Sequence, residues 1–89
     1  SAGMDHLPPD QRQILVGYQR DMVKKLSSVI AENAPDVFER DPAKLRSVTM
    51  SVFGMLNWHY MWNASADEHA RRAYGAEVAK LAIGGLKAL

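Results

Sequence analysis

Side chains able to perform covalent chemistry are scarce in this 89-residue sequence. There is no cysteine, which removes disulfides, thiolate nucleophiles, zinc ribbons and iron–sulfur ligation together. The three histidines, His6, His59 and His69, have no partner at an i, i+4 spacing and no HExxH or EF-hand context, so no metal site is expected. None of Ser47, Ser51 and Ser65 stands in a nucleophile elbow. Gly84-Gly85 falls at the end of a helical pattern, not between a strand and a helix start, so it does not read as a phosphate loop. A haem held between His59 and Met55 or Met22 is conceivable in a bundle, but adaptable core filling explains the five methionines equally well. Eleven Lys and Arg balance ten Asp and Glu for a net charge of +1, and no basic run exceeds two residues, which leaves no nucleic-acid footprint. The sequence predicts neither an enzyme nor a resident cofactor.

The aromatic residues are more informative. Phe53, Trp58, Tyr60 and Trp62 place four of the seven aromatics within ten residues, with Trp58 and Trp62 one helical turn apart. Such a group is either core or interface, or it lines an apolar cavity between helices. Beside it runs a seam of small residues, Ser47, Ser51 and Gly54. Glycine in mid-helix costs roughly 1 kcal/mol relative to alanine, so Gly54 suggests a place where another helix approaches closely.

The elements that carry these residues are delimited by proline, which occurs only at positions 8, 9, 35 and 42. No alternating run of β-branched residues appears, so an all-α fold of three long helices is expected, at about 9–33, 42–62 and 66–88. The first should open at Pro9 or Asp10, with Leu15, Tyr18, Met22, Leu26 and Val29 as its apolar stripe. Asp41-Pro42 reads as a capping carboxylate followed by proline at the first helical position. Counting ~100° per residue, Ala43, Ser47, Met50, Gly54, Trp58 and Met61 share one face of the second helix, and Leu45, Val48, Val52, Leu56 and His59 the other. Both faces are apolar or small, and two further helices cannot cover both, so something outside the chain must cover one. Ser65 with Glu68 predicts a capping box for the third helix, whose stripe is Tyr74, Val78, Leu81, Gly85 and Leu89.

A chain of this length buries only a little over ~60% of its unfolded surface, so its core is marginal and a partner is expected. No apolar run approaches the ~20 residues of a membrane span, and the first ten residues carry no cationic start or apolar stretch. A soluble cytoplasmic chain is expected.

The stretch FGMLNWHYMW from Phe53 to Trp62, followed by a capped helix ending Ile83-Gly-Gly-Leu86, resembles the last two helices of TetR-family transcriptional regulators. The preceding LPPDQRQILVGYQRDMVKKLSSVIAENAP is similar to the helix before them, joined through a loop to a "DP" start at Asp41-Pro42. The resemblance covers nearly the whole chain. It implies the C-terminal, effector-binding and dimerising part of such a regulator, whose last two helices form a four-helix bundle with a symmetry mate. That arrangement accounts independently for an apolar second helix. No helix-turn-helix or basic recognition helix is expected in these 89 residues, so operator DNA would be bound through an absent N-terminal domain; Ser1 is not an initiator, and the chain reads as a piece of a longer protein.

By the same resemblance the homodimer seam falls on Ser47, Ser51, Gly54, Trp58, Tyr74, Val78, Leu81 and Gly85. Ligand-facing positions are Tyr18, Met22, Phe53 and Trp62, and the implied effector is hydrophobic, of the fatty-acid or acyl-CoA kind. The alternative is a small stand-alone helical dimer, either an interaction module or a chorismate-mutase-like enzyme. The enzyme would need several Arg and Lys converging inside the bundle, whereas Arg20 and Lys24 lie opposite the apolar stripe.

Overall fold

Three of the four helices start on a proline. In the computed structural model, which describes residues 6–63, 65 and 67–89, α1 spans Pro9–Asn33, α2 Pro35–Arg40, α3 Pro42–Trp62 and α4 Glu68–Leu86. Proline suits the first helical position because its missing N–H would have no intrahelical acceptor and its φ is already helical. None of these three starts has a side-chain cap hydrogen bond. Asp41 therefore stands at the cap position of α3 without the carboxylate bond that Asp41-Pro42 suggests. No strand occurs among the described residues, and the chain is all-α.

Two local expectations are corrected. The segment between Pro35 and Pro42 is not a plain joint: its six residues form α2, which plugs Phe38 into the core. Proline at the start of a segment is as much a helix opener as a breaker, and Val37-Phe38 supplied the apolar reason to fold. The cap of α4 is Asp67, not Ser65. Its carboxylate accepts a 2.8 Å hydrogen bond from the Ala70 amide, and the helix begins at Glu68. An aspartate at the N-cap also places negative charge at the positive end of the helix dipole, which a serine does not.

The helices form a flat body, 42 × 29 × 17 Å, with α3 between α1 and α4. The turn through α2 makes α3 antiparallel to α1, so that residues 15–22 lie beside 53–60 and residues 23–27 beside 42–50. α4 returns along the other flank, Tyr74 meeting His59 and Leu86 meeting the first half of α3. The core is small: Ile30, Phe38, Val52, Val78 and Leu86 are buried, with Leu26, Leu45, Val48, Met55, Leu56 and Tyr74 packed against them. Among the described residues thirteen large hydrophobic side chains remain exposed, more than twice the number buried, so these helices alone leave much of their apolar surface in water.

That imbalance follows from how the stripes are oriented. On α1 the inward positions are Leu26 and Ile30, while Tyr18, Met22 and Val29 of the expected stripe are exposed. On α4 Val78 and Leu86 point inward and Leu81 does not, and Leu89, beyond the end of the helix, is exposed as well. On α3 the face of Leu45, Val48, Val52, Leu56 and His59 packs inward, and Ala43, Ser47, Met50, Gly54, Trp58 and Met61 are all exposed.

Candidate ligand groove and association face

Two surfaces assemble the residues singled out in the sequence. The first is an apolar groove between α1 and the second half of α3. Tyr18 and Met22 from α1 meet Phe53 from α3 there, joined by Leu15, Leu56 and Tyr60, around a cavity of about 200 Å³. A second depression of about 280 Å³ continues from it, sharing Met22, Phe53 and Leu56 and extending to Leu26 and Val29. The antiparallel pairing of α1 with α3 brings positions thirty or more residues apart onto one wall. Each depression is smaller than the ~300–1,000 Å³ of a typical small-molecule pocket, and Tyr18 is 66% exposed, so the groove is open along one side.

Trp62 does not join this groove. It is the last residue of α3, 73% exposed, and its ring packs at a tilt on Trp58 with centroids 5.5 Å apart. At ~100° per residue Trp62 lies about half a turn round the helix from Phe53. Tyr60, Leu15 and Leu56, not among the expected ligand contacts, line the groove instead. Tyr60 also lies beneath the Arg71 guanidinium, 5.6 Å from ring centroid to carbon, a cation–π contact that ties the end of α3 to the start of α4.

The second surface is the outer side of α3 and α4. Ser47, Ser51, Leu81 and Gly85 line one shallow depression between the two helices, and Gly54 and Trp58 continue the exposed face of α3. That face, from Ala43 through Met50 to Met61, carries no charged side chain. Ser47 and Ser51 turn their hydroxyls back onto the helix, donating to the carbonyls of Lys44 and Ser47 at 3.1 and 2.7 Å, so neither presents an unpaired donor outward. A Cβ built on Gly54 or on Gly85 meets nothing within 4 Å. No contact among the described residues therefore explains either glycine.

Two residues assigned to the seam are corrected. Val78 is 4% exposed and part of the core, so it offers no surface to a partner. Tyr74 is half-buried: its hydroxyl donates a 2.8 Å hydrogen bond to the Met55 carbonyl and its ring stacks on His59. Both hold α4 against α3 within one chain. Helical periodicity put them on one stripe with Leu81 and Gly85, but a stripe spanning more than ~100° has an inner and an outer edge, and sequence alone does not separate them.

Among the described residues, no three His, Asp or Glu side chains are grouped as metal ligands would be, and no helix is long and apolar enough to cross a membrane. A family model described as tetracyclin repressor-like, C-terminal domain, matches residues 2–86. No curated protein and no solved structure matches the chain significantly.

Proposed function

The chain belongs to the family of tetracyclin repressor-like C-terminal domains, and from that membership we propose that it is the effector-binding and dimerising portion of a TetR-type transcriptional regulator acting in the cytoplasm. Its role is regulatory and not enzymatic. Two copies associate through α3 and α4, using Ser47, Ser51, Gly54, Trp58, Leu81 and Gly85, to make a four-helix bundle about a two-fold axis. A hydrophobic effector of the fatty-acid or acyl-CoA type occupies the groove of Tyr18, Met22 and Phe53. Operator DNA is contacted by a helix-turn-helix unit outside these 89 residues.

The observation that carries this reading is the exposed, uncharged face of α3. An apolar helix side without a single charge is normally covered, and mid-helix glycine there allows backbones to approach closely. Light scattering across a dilution series tests it. A dimer that dissociates to monomer on dilution is expected, and a monomer at all concentrations up to the solubility limit overturns the association. For the groove, dodecanoate titrated against the chain should bind saturably, Met22→Glu should abolish binding by placing a charge on the apolar wall, and Trp62→Phe should leave it unchanged. Binding indifferent to Met22→Glu removes the groove as the effector site.

A further inference from the structure

The outward face of α3 changes in size along its length. Apart from Met50 it is small before Gly54, with Ala43, Ser47 and Ser51, and large after it, with Trp58, Met61 and Trp62, all of them exposed. At ~100° and ~1.5 Å per residue, Ser47 and Met61 lie about 10 Å to either side of Gly54 and within about 20° of its direction. We propose that α3 pairs antiparallel with α3 of a second copy, crossing at Gly54, so that the Trp58–Trp62 pair of each copy fills the depression between α3 and α4 of the other. This pairing rests on the dimer proposed above and fixes its register.

Two-fold symmetry allows α3 to meet its copy either parallel or antiparallel. In a parallel pair Trp58, Met61 and Trp62 would face their own equivalents, and Ala43, Ser47 and Ser51 theirs. The helices would be wedged apart at one end and leave a void at the other, which close packing disfavours. An antiparallel pair about Gly54 sets large residues against small ones along the whole face.

The depression supplies the hole. It holds about 270 Å³ beside the first half of α3, with Ser47, Ser51, Leu81 and Gly85 in its lining. Ser51 is rotated about 60° from Gly54 about the helix axis, and Trp58 and Trp62 about 40° and 80° in the same sense, so both rings lean to the side on which α4 lies. A two-fold axis between the copies and perpendicular to α3 exchanges the ends of the helix and keeps that side, which delivers the rings to the depression of the other copy. The serine hydroxyls there are bonded to carbonyls of their own helix, so an apolar ring strands no donor. The two glycines acquire a reason: Gly54 clears the crossing and Gly85 the floor of the hole, positions where no described residue comes within 4 Å of a built Cβ.

The area fits a second copy as well. Met50, Trp58, Met61, Trp62 and Leu81 are 43–73% exposed and present on the order of 700 Å² of largely apolar surface, close to the ~800 Å² that each partner gives to a stable interface. None of them is charged, so the face meets its own image without repulsion.

Trp58 and Trp62 are the two tryptophans of the sequence, and it has no cysteine, so native fluorescence and single introduced thiols both report on this interface. On dilution through the dimer–monomer transition, tryptophan emission is expected to move to longer wavelength as the rings enter water. Ser47→Cys and Met61→Cys chains, treated with a short bis-maleimide, are expected to cross-link when mixed but not separately, because the register sets position 47 beside 61 and holds each about 20 Å from its own equivalent. Cross-linking of each variant with itself establishes a parallel pair, and a dimer without the mixed cross-link or without the emission change is joined elsewhere; either result overturns the register and leaves the dimer standing. A chain monomeric at every concentration overturns dimer and register together. Ser51→Phe, at an exposed position, fills the hole from its own chain and should raise the dimer dissociation constant about tenfold or more with Tm retained. Undiminished association of this variant overturns the seating of the tryptophans.

Discussion

The ring of Tyr74 lies flat on the imidazole of His59, with centroids 4.2 Å apart and planes inclined by 13°. The hydroxyl of the same tyrosine donates a 2.8 Å hydrogen bond to the Met55 carbonyl, one turn earlier on α3. A single side chain of α4 thus holds two successive turns of α3, one through stacking and one through a hydrogen bond. This joint fixes the angle at which the outer faces of both helices are presented.

Tyr74→Phe keeps the stack and deletes the hydrogen bond. As an interior helix carbonyl, Met55 retains its backbone partner, so no buried acceptor is orphaned and the cost should be about 0.5–1.5 kcal/mol. Chemical denaturation read by circular dichroism measures it. An unchanged midpoint would mean that the hydroxyl contributes nothing to the α3/α4 joint.

His59→Phe probes the other half. The buried Nε2 of His59 has no hydrogen-bond partner, and removing a buried polar atom that makes no bond is neutral or stabilising when shape is kept. The variant should therefore match or exceed the parent in Tm. A large loss of stability would show that Nε2 has a partner in solution.

The start of α4 separates two candidate caps. Asp67→Ala should cost about 1 kcal/mol, the usual loss for an N-cap acid, which corresponds to roughly 4–8 °C in Tm for a domain of this size. Ser65→Ala should be within experimental error, since Ser65 is exposed and lies outside the helix. Reversal of the two effects would return the cap to Ser65.

Gly54 distinguishes stability of one chain from association of two. With nothing within 4 Å of a built Cβ, Gly54→Ala should stabilise the isolated chain by roughly 0.5–1 kcal/mol through helix propensity alone. Gly54→Leu should also be accommodated within one chain but should block a close helix approach, raising the dimer dissociation constant in light scattering. Undiminished association of Gly54→Leu would remove this face from the interface.

Much of this protein was legible without its fold. Proline placement marks the starts of α1 and α3 because proline constrains its own φ and lacks an N–H, both local properties, whereas the same signal at Pro35 reads equally as a joint and α2 emerges only in the fold. The two-faced α3 followed from counting ~100° per residue, which also depends on sequence alone. The resemblance of the FGMLNWHYMW stretch pointed to the family that the match over residues 2–86 bears out.

What only tertiary structure decided is which side of each stripe is inside. Tyr18, Met22 and Val29 have the apolarity of core residues, yet Leu26 and Ile30 take the inner positions on α1. Tyr74 and Val78 sit on the same stripe as Leu81, but the first two face α3 and Leu81 is 66% exposed. Phe53 and Trp62 belong to one aromatic cluster in sequence, and only Phe53 reaches the groove beside Met22. Likewise Lys24 and Arg46, twenty-two positions apart, share a hollow only because α2 folds α3 back along α1. Periodicity fixes a residue's angle about its own helix axis; which neighbour stands at that angle depends on how helices cross, and that is set by contacts between residues distant in the chain.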